Sequence, residues 1–134
     1  MKKQNEVKVY FLITSPNLLP EEITNKLKII PSKIFRRGEK RTSKSTLLHK
    51  ENGWKLSIEA NNIIHINILL KELIKELQPS KEIIKSLNAE KAFEIVIYIY
   101  NQMPSISYDK SIISFLNYIE AELEHDIYCL NECN

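Results

Sequence analysis

The sequence predicts an α+β domain, a mostly antiparallel sheet with helices packed on one face. Three observations carry that expectation. Residues 7–14 and 92–100 alternate as strands do, each with one wholly aliphatic face and one mixed face bearing a charge and tyrosine. Each run leads through a proline break into apolar residues at helical spacing, a weak internal strand–helix repeat. The length, 134 residues, suits a single domain over 1–134 that buries roughly two-thirds of its unfolded surface without metal or disulfide.

In the first strand Val7, Val9, Phe11 and Ile13 point one way, and Lys8, Tyr10, Leu12 and Thr14 the other. Ser15-Pro16-Asn17 breaks it. Pro20 suits the first turn of a helix, where its missing N–H has no intrahelical partner, and Glu21 and Glu22 complement the positive helix end. Ile23, Leu27 and Ile30 continue the stripe to a stop at Pro31. Residues 32–46 lack periodicity and predict a long polar loop. Residues 46–49 and 54–59 flank Asn52-Gly53, a strong hairpin-turn signal, with Trp54, Leu56 and Ile58 on one face. Residues 61–77 form the clearest helix, striped by Ile66, Leu69, Leu70, Leu73 and Leu77. Ser80 is placed to cap a short helix over 81–87. In the second alternating run Phe93, Ile95, Ile97 and Ile99 oppose Glu94, Val96, Tyr98 and Tyr100. A helix from residue 108 follows on Ile112, Phe115, Leu116, Ile119 and Leu123, and residues 126–130 add a last strand. The expected arrangement is ferredoxin-like, with the pure strand faces against the helices and the mixed faces forming a second, partly open surface.

Composition narrows the chemistry. There are two glycines, Gly38 and Gly53, too few and too far apart for a P-loop, a dinucleotide fingerprint or a nucleophile elbow. Gly53 is assigned to the hairpin turn and Gly38 to a bend in the loop. Net charge is +2, so any electrostatic role belongs to local patches. No run is apolar enough for a signal peptide or a membrane span, and a reducing cytoplasm is the expected location. Cys129 and Cys133 stand together at one end and make no disulfide framework.

The run 18–32, with Pro20 and Pro31 bracketing a helix, precedes Gly38, and Trp54 opens a strand. Near the end stands Leu123-Glu124-His125-Asp126-Ile127-Tyr128. Together these resemble the small bacterial family known as domain of unknown function 4279, over roughly residues 6–130. The resemblance implies a compact single-domain protein, carries over no catalytic residues, and suggests immunity-type proteins of bacterial toxin systems among the relatives.

Four groups of residues are candidates for function. The loop holds all three arginines, Arg36, Arg37 and Arg41, with Lys40 and Lys44; from 33 to 50 seven basic residues meet one acid. Arginine's planar fork suits phosphate or carboxylate, and the plain alternative is a solvated loop. Lys8, Tyr10, Tyr98 and Tyr100 fall on the mixed faces, where aromatics anchor a protein partner or stack bases. The alternative is a face covered by the loop or by a homodimer partner. The acids Glu120, Glu122, Glu124, Asp126 and Glu132 read as a solvated surface complementing the basic loop. His125, Cys129 and Cys133 are spaced for a helical metal site but offer three ligands only, and His49 and His65 are isolated. No catalytic constellation, metal or cofactor is expected. The expected function is macromolecule binding without catalysis, immunity-like, toward a protein partner such as a toxin. A nucleic-acid-binding module using the loop and the tyrosines is the alternative.

Overall fold

The computed structural model describes residues 4–61 and 65–130, and for 59–61 the backbone alone. The elements run β1 (Glu6–Ser15), α1 (Pro20–Leu27), β2 (Lys33–Phe35), β3 (Asn52–Asn61), α2 (Ile66–Leu77), a 3-10 turn (Gln78–Ser80), α3 (Lys81–Ser86), β4 (Glu90–Ile99), α4 (Lys110–Ile119) and β5 (Glu122–Cys129). They form an α+β fold whose single sheet has the order β2-β3-β1-β4-β5. Every neighbouring pair is antiparallel except β4 and β5, which are parallel. A parallel neighbour needs a crossover, and α4 supplies it. Among the described residues no helix is long and apolar enough to cross a membrane.

Period-two alternation makes β1 the centre of the sheet. Val7, Val9, Phe11 and Ile13 are buried, with Phe11 set between Trp54, edge-on at 6.4 Å, and Phe93 at 5.0 Å. The 3.6-residue stripes of the helices cover this face: Ile23 and Leu27 of α1, Leu70 and Leu73 of α2, Ile84 of α3, Ile112 and Ile119 of α4. Asp109 caps α4 by accepting the Ile112 N–H at 3.2 Å.

Several expectations change against the structure. The α1 stripe ends at Leu27, because Lys28 turns left-handed (φ 60°) and its amide closes on the Thr24 carbonyl. Ile30, expected on the helix, is 85% exposed. Ser80 precedes α3 without capping it; its hydroxyl donates to the Leu27 carbonyl at 2.9 Å and so closes the end of α1 instead.

The Asn-Gly pair is not a turn. Asn52 and Gly53 open β3, paired with Ser15 and Thr14 of β1, and Gly53 also faces Phe35 of β2. Gly38, with φ 89°, is the glycine that needs its conformational freedom. At Gly53 the need is space: a Cβ there would run into the Phe35 ring.

The expected long loop is partly ordered pairing. Its first residues are β2, and the chain then folds back on itself. The Gly38 amide donates to His49 O at 2.9 Å, the His49 amide to Glu39 O at 2.8 Å, and the Arg41 amide to Leu47 O at 2.9 Å. Lys40 and Leu48 bridge in the same ladder.

Candidate functional site

The alternation that buries one side of the sheet leaves the other side without a helix among the described residues. Ladder register then decides which outer side chains meet. Tyr10 of β1 lies between Ser57 of β3 and Glu94 of β4, and Glu94 lies beside Glu124 of β5. Lys8 and Asp126 flank Val96 from either side. Tyr98 lies beside Tyr128, and the two rings stack at 5.4 Å with 17° between their planes. Lys8, Tyr10 and Tyr98 therefore share one half-buried surface.

Charge on this face is mixed and mutually engaged. The Lys55 ammonium stands 4.5 Å over the Tyr10 ring and 3.8 Å from Glu94 Oε1. Lys8 stands 5.8 Å over the Tyr98 ring. Glu94 Oε1 is buried and accepts no hydrogen bond from the described residues. Burial pushes the Glu94 carboxyl above its usual range; Lys55 opposes the shift, and Glu124 and Asp126 add to it.

A pH test follows from that direction. A carboxyl whose folded pKa is raised contributes stability below its unfolded pKa and loses it as pH rises through the folded value. Glu94→Gln keeps the neutral shape and has no proton to lose. Its urea midpoint should therefore gain on the wild type as pH rises from the unfolded carboxylate pKa through the raised value. A difference that stays flat with pH refutes the assignment.

Tyr100 departs from the expected row. β4 ends at Ile99, and Tyr100 lies in the following turn, where its amide donates to Asn5 Oδ1 at 2.7 Å.

The basic loop occupies the opposite edge of the sheet. Arg36 pairs with Glu21 of α1, on the helix side, and its amide donates to Glu39 Oε1 at 2.6 Å. The Arg37 amide donates to Asn52 Oδ1 at 2.9 Å. Arg37, Lys40, Arg41 and Lys44 are exposed, and among the described residues their side chains form no ion pair. They follow β2, three strand spacings from β4, which is about 14 Å across the sheet. The arginines and the tyrosines are thus separate patches. The loop covers one corner of the outer face, where His49 stacks on Phe35 at 4.0 Å, and leaves Tyr10 and Tyr98 half-exposed.

The acids separate as well. Glu122, Glu124 and Asp126 share the outer face of β5, while Glu120 forms the left-handed end of α4. Glu132 and Cys133 lie outside the described residues. His125 points to the helix side, hydrogen-bonded to the Tyr108 hydroxyl with the rings 5.7 Å apart. Burial raises the Tyr108 pKa. His65 flanks the start of α2. Cys129, one of the two cysteines expected to make no disulfide framework, is disulfide-bonded at the end of β5. No group of three or more metal-type ligands occurs among the described residues.

Lys55, Glu94 and Tyr128 belong to the face but were not singled out from the sequence. Their signal was present: each occupies the polar phase of an alternating strand, Lys55 between Trp54 and Leu56, and Tyr128 two residues after Asp126.

The family described as a domain of unknown function (DUF4279) matches residues 5–130. No curated protein and no solved structure matches the chain.

Proposed function

We propose that this chain, which belongs to the DUF4279 family over residues 5–130, is a non-catalytic domain that binds a bacterial partner protein, immunity-like, through its outer sheet face. The observation that carries the reading is the mixture on that face. Tyr10 and the stacked Tyr98–Tyr128 pair are surrounded by both signs of charge, Lys8 and Lys55 with Glu94, Glu124 and Asp126. Tyrosines supply large contact area at low entropic cost, and mixed charge fixes the register of a protein partner. The same carboxylates repel phosphate beside any base stacked on Tyr98, which weighs against nucleic acid on this face. The exposed Arg37, Lys40 and Arg41 keep nucleic acid as the second reading, on the loop. A cytoplasmic location goes with the proposed role, and there the Cys129 disulfide would be reduced to thiols.

The test is co-expression with the product of the neighbouring gene and measurement of the complex. Tyr10→Ala with Tyr98→Ala should weaken it about 100-fold or more, the loss of two aromatic anchors. Arg36→Ala, Arg37→Ala and Arg41→Ala together should leave it intact. The reverse pattern, with salt-dependent retention on a polyanion column that the triple variant loses, establishes the second reading.

A further inference from the structure

We propose that the outer edge of β5 takes up an extended strand of the partner, one whose residues alternate basic and apolar. The inference rests on the protein-binding reading and names the mode of contact.

β5 is an eight-residue strand that, among the described residues, is paired on one side only. Its ladder shows which groups face away from β4. The Leu130 amide donates to Ile99 O at 2.9 Å, so in this parallel ladder the even-numbered residues turn their peptide groups toward β4. Leu123, His125 and Ile127 turn theirs outward. Such an edge templates another strand unless it is protected. Charge is the protection this edge carries, in Glu122, Glu124 and Asp126, and it excludes a like-charged strand rather than a basic one. Residues 122–129 contain no proline and no lysine, and the pairing with β4 runs one-to-one without a bulge. The other edge is different: β2 has three residues and continues directly into the basic folded-back ladder.

Side-chain chemistry selects the occupant. On the outer face β5 presents Glu122, Glu124 and Asp126, backed by Glu94 on the next strand. On the helix side Ile127 is 45% exposed. An added strand covers both at once only if its residues alternate, lysine or arginine toward the carboxylates and an aliphatic residue toward Ile127. A second copy of β5 brings a row of acids of its own, and like charges across a ladder are destabilising.

The probe is a blocked octapeptide of alternating lysine and valine, with alternating glutamate and valine as control. Hydrogen exchange should slow by about tenfold or more at the outward amides of His125 and Ile127 with the lysine peptide only. Ile127→Pro removes one outward N–H and no ladder bond, so the fold is retained and the protection is lost. Glu124→Lys should weaken it without disturbing the fold. Equal protection by both peptides, protection that survives Ile127→Pro, or free protein already dimeric with those amides protected would each overturn the edge mode. A natural partner whose binding is lost with Tyr10→Ala and Tyr98→Ala but kept with Ile127→Pro overturns the edge mode alone and leaves the protein-binding reading standing.

Discussion

Trp54→Ala is expected to destabilise the fold by about 3–5 kcal/mol, the cost of emptying a large buried aromatic site. Trp54 is wholly buried and is the pivot between three elements. Its ring meets Phe11 of β1 edge-on, its backbone pairs opposite Ile34 of β2, and its indole N–H donates to Thr24 Oγ1 of α1 at 3.0 Å. A domain of this size holds a net stability of about 5–15 kcal/mol, so the loss removes a large share of it. Trp54→Phe separates the causes. It retains most of the aromatic volume and removes the indole donor with a small part of the ring, while Thr24 Oγ1 keeps its own bond to Pro20 O at 3.2 Å. Its cost should be about 1–2 kcal/mol, the net worth of one hydrogen bond and a small cavity. Urea denaturation with an unchanged slope measures both. If phenylalanine costs as much as alanine, packing is not what Trp54 contributes.

Much of this arrangement was legible in the sequence because burial is written in periodicity. The inner faces of β1 and β4, the stripe of α2 and the mixed outer surface with Lys8, Tyr10 and Tyr98 follow from the spacing of apolar residues alone. What escaped was long-range pairing. Asn52-Gly53 carries the local chemistry of a turn, yet it lies in a ladder with β1, and Gly53 is small because Phe35 lies against it. No window around Gly53 contains that reason, since the ring comes from eighteen residues away. Ser80 likewise has a capping residue's chemistry and spends it on Leu27, fifty-three positions distant. The acidic row on β5 is an intermediate case. The sequence marks these acids as a solvated surface and starts the last strand at 126; the strand begins at Glu122, and only its parallel pairing with β4 sets Glu122, Glu124 and Asp126 beside Ala92, Glu94 and Val96. The site's charge pattern is a property of register, and register depends on the whole sheet.

Asn52→Ala should cost about 2 kcal/mol and loosen the basic ladder without touching the tyrosine face. Asn52 is buried, and both ends of its amide are used: Oδ1 accepts the Arg37 N–H at 2.9 Å, and Nδ2 donates to Leu18 O at 3.1 Å. One side chain thereby ties the arginine-bearing excursion to the β1–α1 connection. Alanine leaves both backbone groups unpartnered. Hydrogen exchange at the amides of Gly38, Arg41 and His49 should quicken, while those of β1 and β4 stay protected. Asn52→Asp is the sharper variant. The ionised carboxylate keeps the acceptor for Arg37 but turns an oxygen on the Leu18 carbonyl, and protonation restores a donor there. Fold burial and that carbonyl raise the introduced carboxyl's pKa, so the stability it permits is present below the unfolded carboxylate pKa and lost as pH rises through the folded one. The Asn52→Asp urea midpoint should thus approach wild type on acidification and fall away toward neutrality; a constant deficit would mean the Leu18 contact contributes nothing. These variants also divide the two functional readings. Loosening the loop removes a phosphate-binding surface built on Arg37 and Arg41 and leaves a partner docked on Tyr10, Tyr98 and the β5 edge in place. A complex that survives Asn52→Ala at unchanged affinity is therefore held by the sheet.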